Sequence, residues 1–330
     1  MRVKEAAPPR EVGSRVRRLS EPASDPLVPT IFHETWWLDA ASAGQWREVT
    51  VSSGGSLVGR LPFTLGERLG TRFCVAPRLT HFLGPAIDEG NGGAVSRNLR
   101  RTRIARELIQ ALPRTDAFYQ RFHGGINETL AFQEAGFQTG VLFTFEVHPA
   151  PDGTLWHAMR DKTRNVIRRA QERVETVRCT SAEQFIAFYE ANLAQRGRRN
   201  HYDPGIFVQV CRAALQRNRG CILCANGPDG EPLAAIFYVW DETVAYYTLS
   251  TRRQDADNGA VALLVWEAIR DAATRNLIFD MDGSYTAGSS LFYTGFGGQI
   301  RPRYIVSRSS FPYDLARRLM APFGSRRRLY

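Results

Sequence analysis

The chain has 330 residues, 43% hydrophobic and 23% charged, the balance of a globular protein long enough for two domains of ordinary size. No run of about 18 apolar residues occurs, which excludes a transmembrane helix, and residues 1–29 mix Arg, Glu, Pro and Ser without the apolar core of a secretory signal. The net charge of +10 is carried by arginine, with Lys4 and Lys162 the only lysines, and favours anionic ligands such as phosphates, nucleic acid or acidic lipid.

Residues 1–27 read as a disordered basic tail. The first domain is expected over 28–148. Residues 32–41 form a short helix with two tryptophans. Residues 46–52 and 57–65 alternate as strands around Ser53-Gly54-Gly55-Ser56, a hairpin signal. Short strands follow at 72–76 and 80–83, then a helix with a basic face over 96–112, halted by Pro113, and a strand over 117–122. His148-Pro-Ala-Pro-Asp-Gly153 is rich in breakers and reads as a linker.

The second domain is expected over 154–316. It opens on a helix over 154–174 and a short strand over 175–179. The helix over 181–195 starts with a capping box, Ser181 and Gln184, and another helix covers 204–217. Three strands in meander order, 220–225, 232–240 and 243–250, precede a helix over 259–274. A strand over 277–281, a short helix over 289–293 and a last strand over 300–308 complete it, before a basic tail at 317–330.

Five cysteines, an odd number, point to a reducing compartment, hence the cytoplasm. Cys221 and Cys224 match C-x-x-C but lie in a strand, where residues three apart face opposite sides, so both read as buried rather than as redox or zinc groups. The six histidines show no ligand spacing, and no metal is expected. No Walker loop or dinucleotide fingerprint occurs.

One helix–turn–strand signal is written twice. Leu130-Ala-Phe-Gln-Glu-Ala-Gly136-Phe137 leads into Val141–Phe145, and Leu291-Phe-Tyr-Thr-Gly295-Phe296 leads into Ile300–Val306. Gly136 and Gly295 are expected to close their helices in left-handed backbone. Each copy follows a long helix and a short apolar strand, so the sequence reads as a duplicated mixed α/β unit.

That order, with Gly-Phe after the last helix, resembles the GNAT acyltransferase fold. Two units in tandem resemble the Fem-type aminoacyltransferases and the CelD-type GNAT-like proteins of polysaccharide and envelope synthesis. Lys162-Thr-Arg164-Asn-Val-Ile167-Arg-Arg-Ala170 is similar to the K-x-R-x-x-I-x-x-A helix that starts the second domain in these families. Phe279-Asp280-Met-Asp282-Gly-Ser284 followed by Leu291-Phe292 and Gly295-Phe-Gly-Gly298 is similar to their strand-then-loop signature. The resemblance implies two tandem GNAT-like domains over about 28–310, the second catalytic, with acyl-CoA as co-substrate and an amine acceptor, such as an amino-sugar. A Fem-type reading implies aminoacyl-tRNA instead, although no long heptad arm is visible. A non-catalytic module for anionic ligands is the third reading, and peripheral membrane contact is compatible with the charge.

Site candidates follow from chemistry. The turn from Ser250 through Arg252 and Arg253 to Asn258, Gly259 and Ala260 runs from a strand into a helix N-terminus, whose unpaired N–H groups suit an anion. In GNAT enzymes the matching turn holds the coenzyme A pyrophosphate, but here one glycine of that pattern remains, and Asp255 and Asp257 oppose phosphate. Asp280 and Asp282 alternate along a strand and are expected to share a face, where one carboxylate acts as a base towards an acceptor ammonium. Tyr246, Tyr247, Tyr285 and Tyr293 lie near this cleft. Tyr246 and Tyr285 are the candidate proton donors to a leaving thiolate, and Ser250 and Ser284 are further acceptor contacts. The basic loop 195–203, with Arg196 and Tyr202, and the face with Lys162 and Arg164 are candidate acceptor-binding elements.

Overall fold

The computed structural model describes residues 25–310, apart from 69, 257, 284 and 285. A 3-10 turn, Ile31–His33, leads into α1 (Thr35–Ser42). β1 (Trp46–Ser53) and β2 (Ser56–Arg68) form the expected hairpin around Gly54 and Gly55, whose φ of +60° and +80° give the mirror-image turn that matches strand twist. β3 (Thr71–Val75), β4 (Ala86–Ile87), α2 (Ala94–Ala111), β5 (Ala117–Arg121), α3 (Leu130–Glu134) and β6 (Gln138–Val147) complete the first half. The second half comprises α4 (Asp152–Ala158), α5 (Asp161–Gln171), β7 (Glu175–Cys179), α6 (Ala182–Gln195), α7 (Pro204–Gln216), β8 (Gly220–Asn226), β9 (Pro232–Trp240), β10 (Val244–Arg252), α8 (Asn258–Thr274), β11 (Ile278–Asp280), α9 (Ala287–Thr294) and β12 (Gln299–Ser309).

The described strands lie in one sheet, ordered β1-β2-β3-β5-β12-β6-β11-β10-β9-β8-β7, with β4 on β2. Each half supplies an antiparallel meander, a long helix, a strand parallel to the third meander strand, a short helix and a last strand. The last strands are exchanged. β12 pairs antiparallel with β5 of the first half, β6 pairs antiparallel with β11 of the second, and the two run side by side from Gln299↔Glu146 to Ser307↔Gln138. Neither half therefore satisfies its fifth strand by itself.

Three apolar clusters hold the layers. The first lies under α5 and α8, the second under α6 and α7, and the third under α2 and α3. Helix α1 belongs to the first half in sequence but packs into the second cluster, where Phe32, Trp37 and Leu38 are fully buried beside Phe207 and Tyr246. Each such side chain contributes about 1.5–3 kcal/mol of burial. Cys221 and Cys224 fall in different clusters, on opposite faces of β8.

Three expectations need correction. The helix over 154–174 breaks at Met159–Arg160, because the Arg160 N–H donates to Gly295 O at 3.0 Å and Arg164 Nη1 donates to the carbonyls of Trp156, His157 and Met159, which terminate α4. Residues 80–83 are a loop with one bridge, Leu83 to Phe122, rather than a strand. Gly136 is left-handed as expected, but Gly295 has φ −60°; the left-handed residue there is Gly297, at φ +77°.

Candidate active site at the centre of the sheet

β10 and β11 run parallel for three pairs, from Val244↔Ile278 to Tyr246↔Asp280, and then part. β10 continues along β9 to Arg252 with a bulge between Tyr247 and Leu249. A bulge takes one residue, here Thr248, off the ladder and turns the strand locally. Past Asp280 no strand pairing joins β10 to the segment Met281–Gly283, and this unpaired interval is the wedge.

The two aspartates at this wedge do not share a face. β11 ends at Asp280, and Asp282 has φ +63°, which breaks the alternation on which the strand reading depended. Asp280 is fully buried and saturated. It accepts from Thr144 Oγ1, from Arg303 Nη2 at 2.9 Å and from the Asp282 N–H at 2.8 Å. Arg303 also donates to Glu146 Oε1 at 2.5 Å, so β6, β11 and β12 are bound by one buried charge network.

Asp282 is placed differently. Its Oδ2 lies 2.6 Å from His81 Nδ1, and its Oδ1 is buried with no hydrogen-bond partner among the described residues. Burial raises its carboxyl above the usual range, while His81 and Arg121 pull it back. His81 comes from the loop between β3 and β4, and no sequence pattern linked it to a partner about two hundred residues away. Tyr202, on the α6–α7 loop, has its phenol raised by burial and by Asp282, with Arg121 and Arg78 acting in the other direction. These contributions bring Tyr202, Arg121 and Asp282 within electrostatic reach of one another.

The tyrosines sort by position. The Tyr246 hydroxyl donates to Asp241 Oδ2 at 2.9 Å, which turns it from the wedge. Tyr247, at the bulge, is pushed up to about 12 by burial, with a hydrogen bond to Ser250 lowering it and Asp282 raising it. Tyr285 and Ser284 lie outside the described residues.

The anion turn follows directly from β10. Its arginines have local partners: Arg252 Nη1 donates to Ala256 O at 2.6 Å and Arg253 forms a two-bond pair with Asp255 at 3.0 and 2.6 Å. Arg196 Nη2 donates to Arg252 O at 2.6 Å. Gln195, Arg253, Gln254 and Asp255 line an open depression of about 390 Å³ at this turn. Asn258 begins α8, followed by the buried Gly259 and Ala260. Lys162 is exposed on the first turn of α5, away from the contacts that assemble Asp282, and Arg164 is tied to α4.

Residues 158–285 match the family model for the acetyltransferase (GNAT) domain. The solved structure of FemX is similar, with a TM-score of 0.60 and 13% identity over 82% of this chain and 90% of that one. The C-terminal domain of a putative lysylphosphatidylglycerol synthetase from Agrobacterium fabrum has a TM-score of 0.51 and 16% identity, covering 86% and 91%. A tandem GNAT protein from the clavulanic acid biosynthesis pathway has a TM-score of 0.50 and 12% identity, covering 80% and 83%. No curated protein sequence matches.

Proposed function

From a tandem GNAT-like acyltransferase fold, we propose that this protein moves an acyl group from an acyl-CoA thioester to an amine, with an amino-sugar or an envelope or polysaccharide precursor as the acceptor. The observation that carries the reading is the parting of β10 from β11 beside a bulge and an unpartnered carboxylate oxygen. A thioester laid in the wedge meets the backbone of β10 beside the bulge, whose N–H groups polarise its carbonyl as negative charge develops. Asp282 takes a proton from the acceptor ammonium. The neutral nitrogen attacks the carbonyl carbon, the carbon–sulfur bond breaks, the thiolate receives a proton, and the surplus proton on nitrogen passes through water to the group that supplied it, leaving an amide and a free thiol. Tyr247, rather than Tyr246, is placed to supply it, and its raised value keeps the phenol protonated at neutral pH.

The α8 N-terminus, with small residues at 259 and 260, suits the pyrophosphate of the donor through backbone donors. The local pairing of Arg252 and Arg253 favours a second reading, in which aminoacyl-tRNA replaces acyl-CoA and the basic surface carries the contact.

The test is amine-dependent thiol release from acetyl-CoA and longer acyl-CoAs across a panel of amino-sugars. Asp282→Asn is expected to keep donor binding and lose about 10²–10⁴-fold in kcat, the weight of a general base. Unchanged turnover in that variant would remove Asp282 from the mechanism.

A further inference from the structure

We infer that the acid–base centre is assembled from both halves of the chain, with His81 of the first half acting as the positioning partner that holds the Asp282 carboxylate for catalysis. The inference rests on Asp282 being the base. His81 Nδ1 lies 2.6 Å from Asp282 Oδ2, an ion-pair contact that engages one carboxylate oxygen and not the other. Asp280, two residues away, has both of its oxygens hydrogen-bonded. Asp282 Oδ1 has no partner among the described residues although it is out of contact with water.

The backbone on both sides of the contact is unusual. Leu79, two residues before His81, has φ +59°, and Asp282 has φ +63°. Left-handed backbone is costly for Leu79 and persists only where the surroundings enforce it, whereas an aspartate adopts it more readily. The enforcement is visible. The Leu83 N–H donates to Arg121 O at 2.7 Å and the Gly84 N–H to Gln120 Oε1 at 3.1 Å, which fixes the His81 loop on β5. The Phe32 ring stacks on His81 at 5.9 Å with 18° between planes. On the other side, the Gly283 N–H donates to Thr144 Oγ1 at 3.0 Å and holds the Asp282 loop on β6. Thus two loops, each anchored to a first-half strand, meet at one close ion-pair contact.

Asp282 is acted on by His81 from the β3–β4 loop, Arg121 from β5 and Asp280 from β11, and it acts in turn on Tyr202 and Tyr247. His81 and Arg121 favour its anion, while burial and Asp280 oppose it. A base works when deprotonated, so activity rises with pH through its midpoint. Removing the His81 ring moves that midpoint to higher pH.

The experiment is a carbon-13 NMR titration of the Asp282 carboxyl in the full chain, for wild type, His81→Ala and His81→Asn, with circular dichroism as the folding control. The amide of Asn places an N–H close to the position of imidazole Nδ1. His81→Ala is expected to raise the midpoint by about one pH unit or more, tenfold in proton affinity, as for a lost hydrogen bond to a charged group. His81→Asn is expected to stay near wild type. An unmoved midpoint in His81→Ala, or equal shifts in both variants, overturns the proposal. The titration uses neither donor nor acceptor, so its failure is separate from failure of the acyl-transfer reading. Where both hold, the acidic limb of the rate profile moves with the midpoint.

Discussion

Asp280 and Asp282 stand two residues apart and carry different burdens. Asp280 is an anchor whose charge is answered by Arg303, while Asp282 keeps one oxygen unanswered. Arg303 is itself 8% exposed and is shared with Glu146. Replacing it with Met leaves Asp280 buried without its cation and Glu146 with Arg301 at 3.5 Å. We expect a loss of about 3–5 kcal/mol, the range for removing one partner of a buried pair, measured as a fall in the urea midpoint. A loss below about 1 kcal/mol would mean that water reaches the network. The sequence singles these aspartates out as two carboxylates at the end of an apolar strand. Their division of labour was not legible, since it depends on β12 and β6 arriving from different halves, and His81 gave no local signal at all.

Among the elements, the wedge owes its shape to local features: three residue pairs, a bulge and a loop. The meanders, the long helices and the Gly-Phe units were readable from period and punctuation, because each half repeats them. The α4–α5 break was not readable, because it depends on contacts with the loop after α9. Gly297 is central there. A Cβ at this position would lie 2.6 Å from Ala158 O, and φ is +77°. Gly297→Ala is expected to cost about 1–3 kcal/mol through left-handed strain and displaced backbone, read from the same urea midpoint. Stability within a few tenths of wild type would mean that the loop has room to move.

Across the whole molecule, the exchange of last strands explains why a site can be shared. β6 carries Thr144 and Glu146 to β11, and β12 carries Arg303 back across both. The first half also lays α1 over the second half, with the Ile31 N–H donating to Asp241 Oδ2 at 3.3 Å. A duplicated sequence suggests two separable units, but the pairing makes one sheet, with the proposed acid–base centre where the halves interlock. The most direct test of the account is thermal unfolding with acetyl-CoA, longer acyl-CoAs and aminoacyl-tRNA, each added separately. A donor that enters the β10–β11 wedge of the native state alone stabilises it by about 2.7 kcal/mol at a hundredfold excess over its Kd. We predict a concentration-dependent rise in Tm with one donor class, retained in Asp282→Asn; the absence of a rise with every donor would contradict the account.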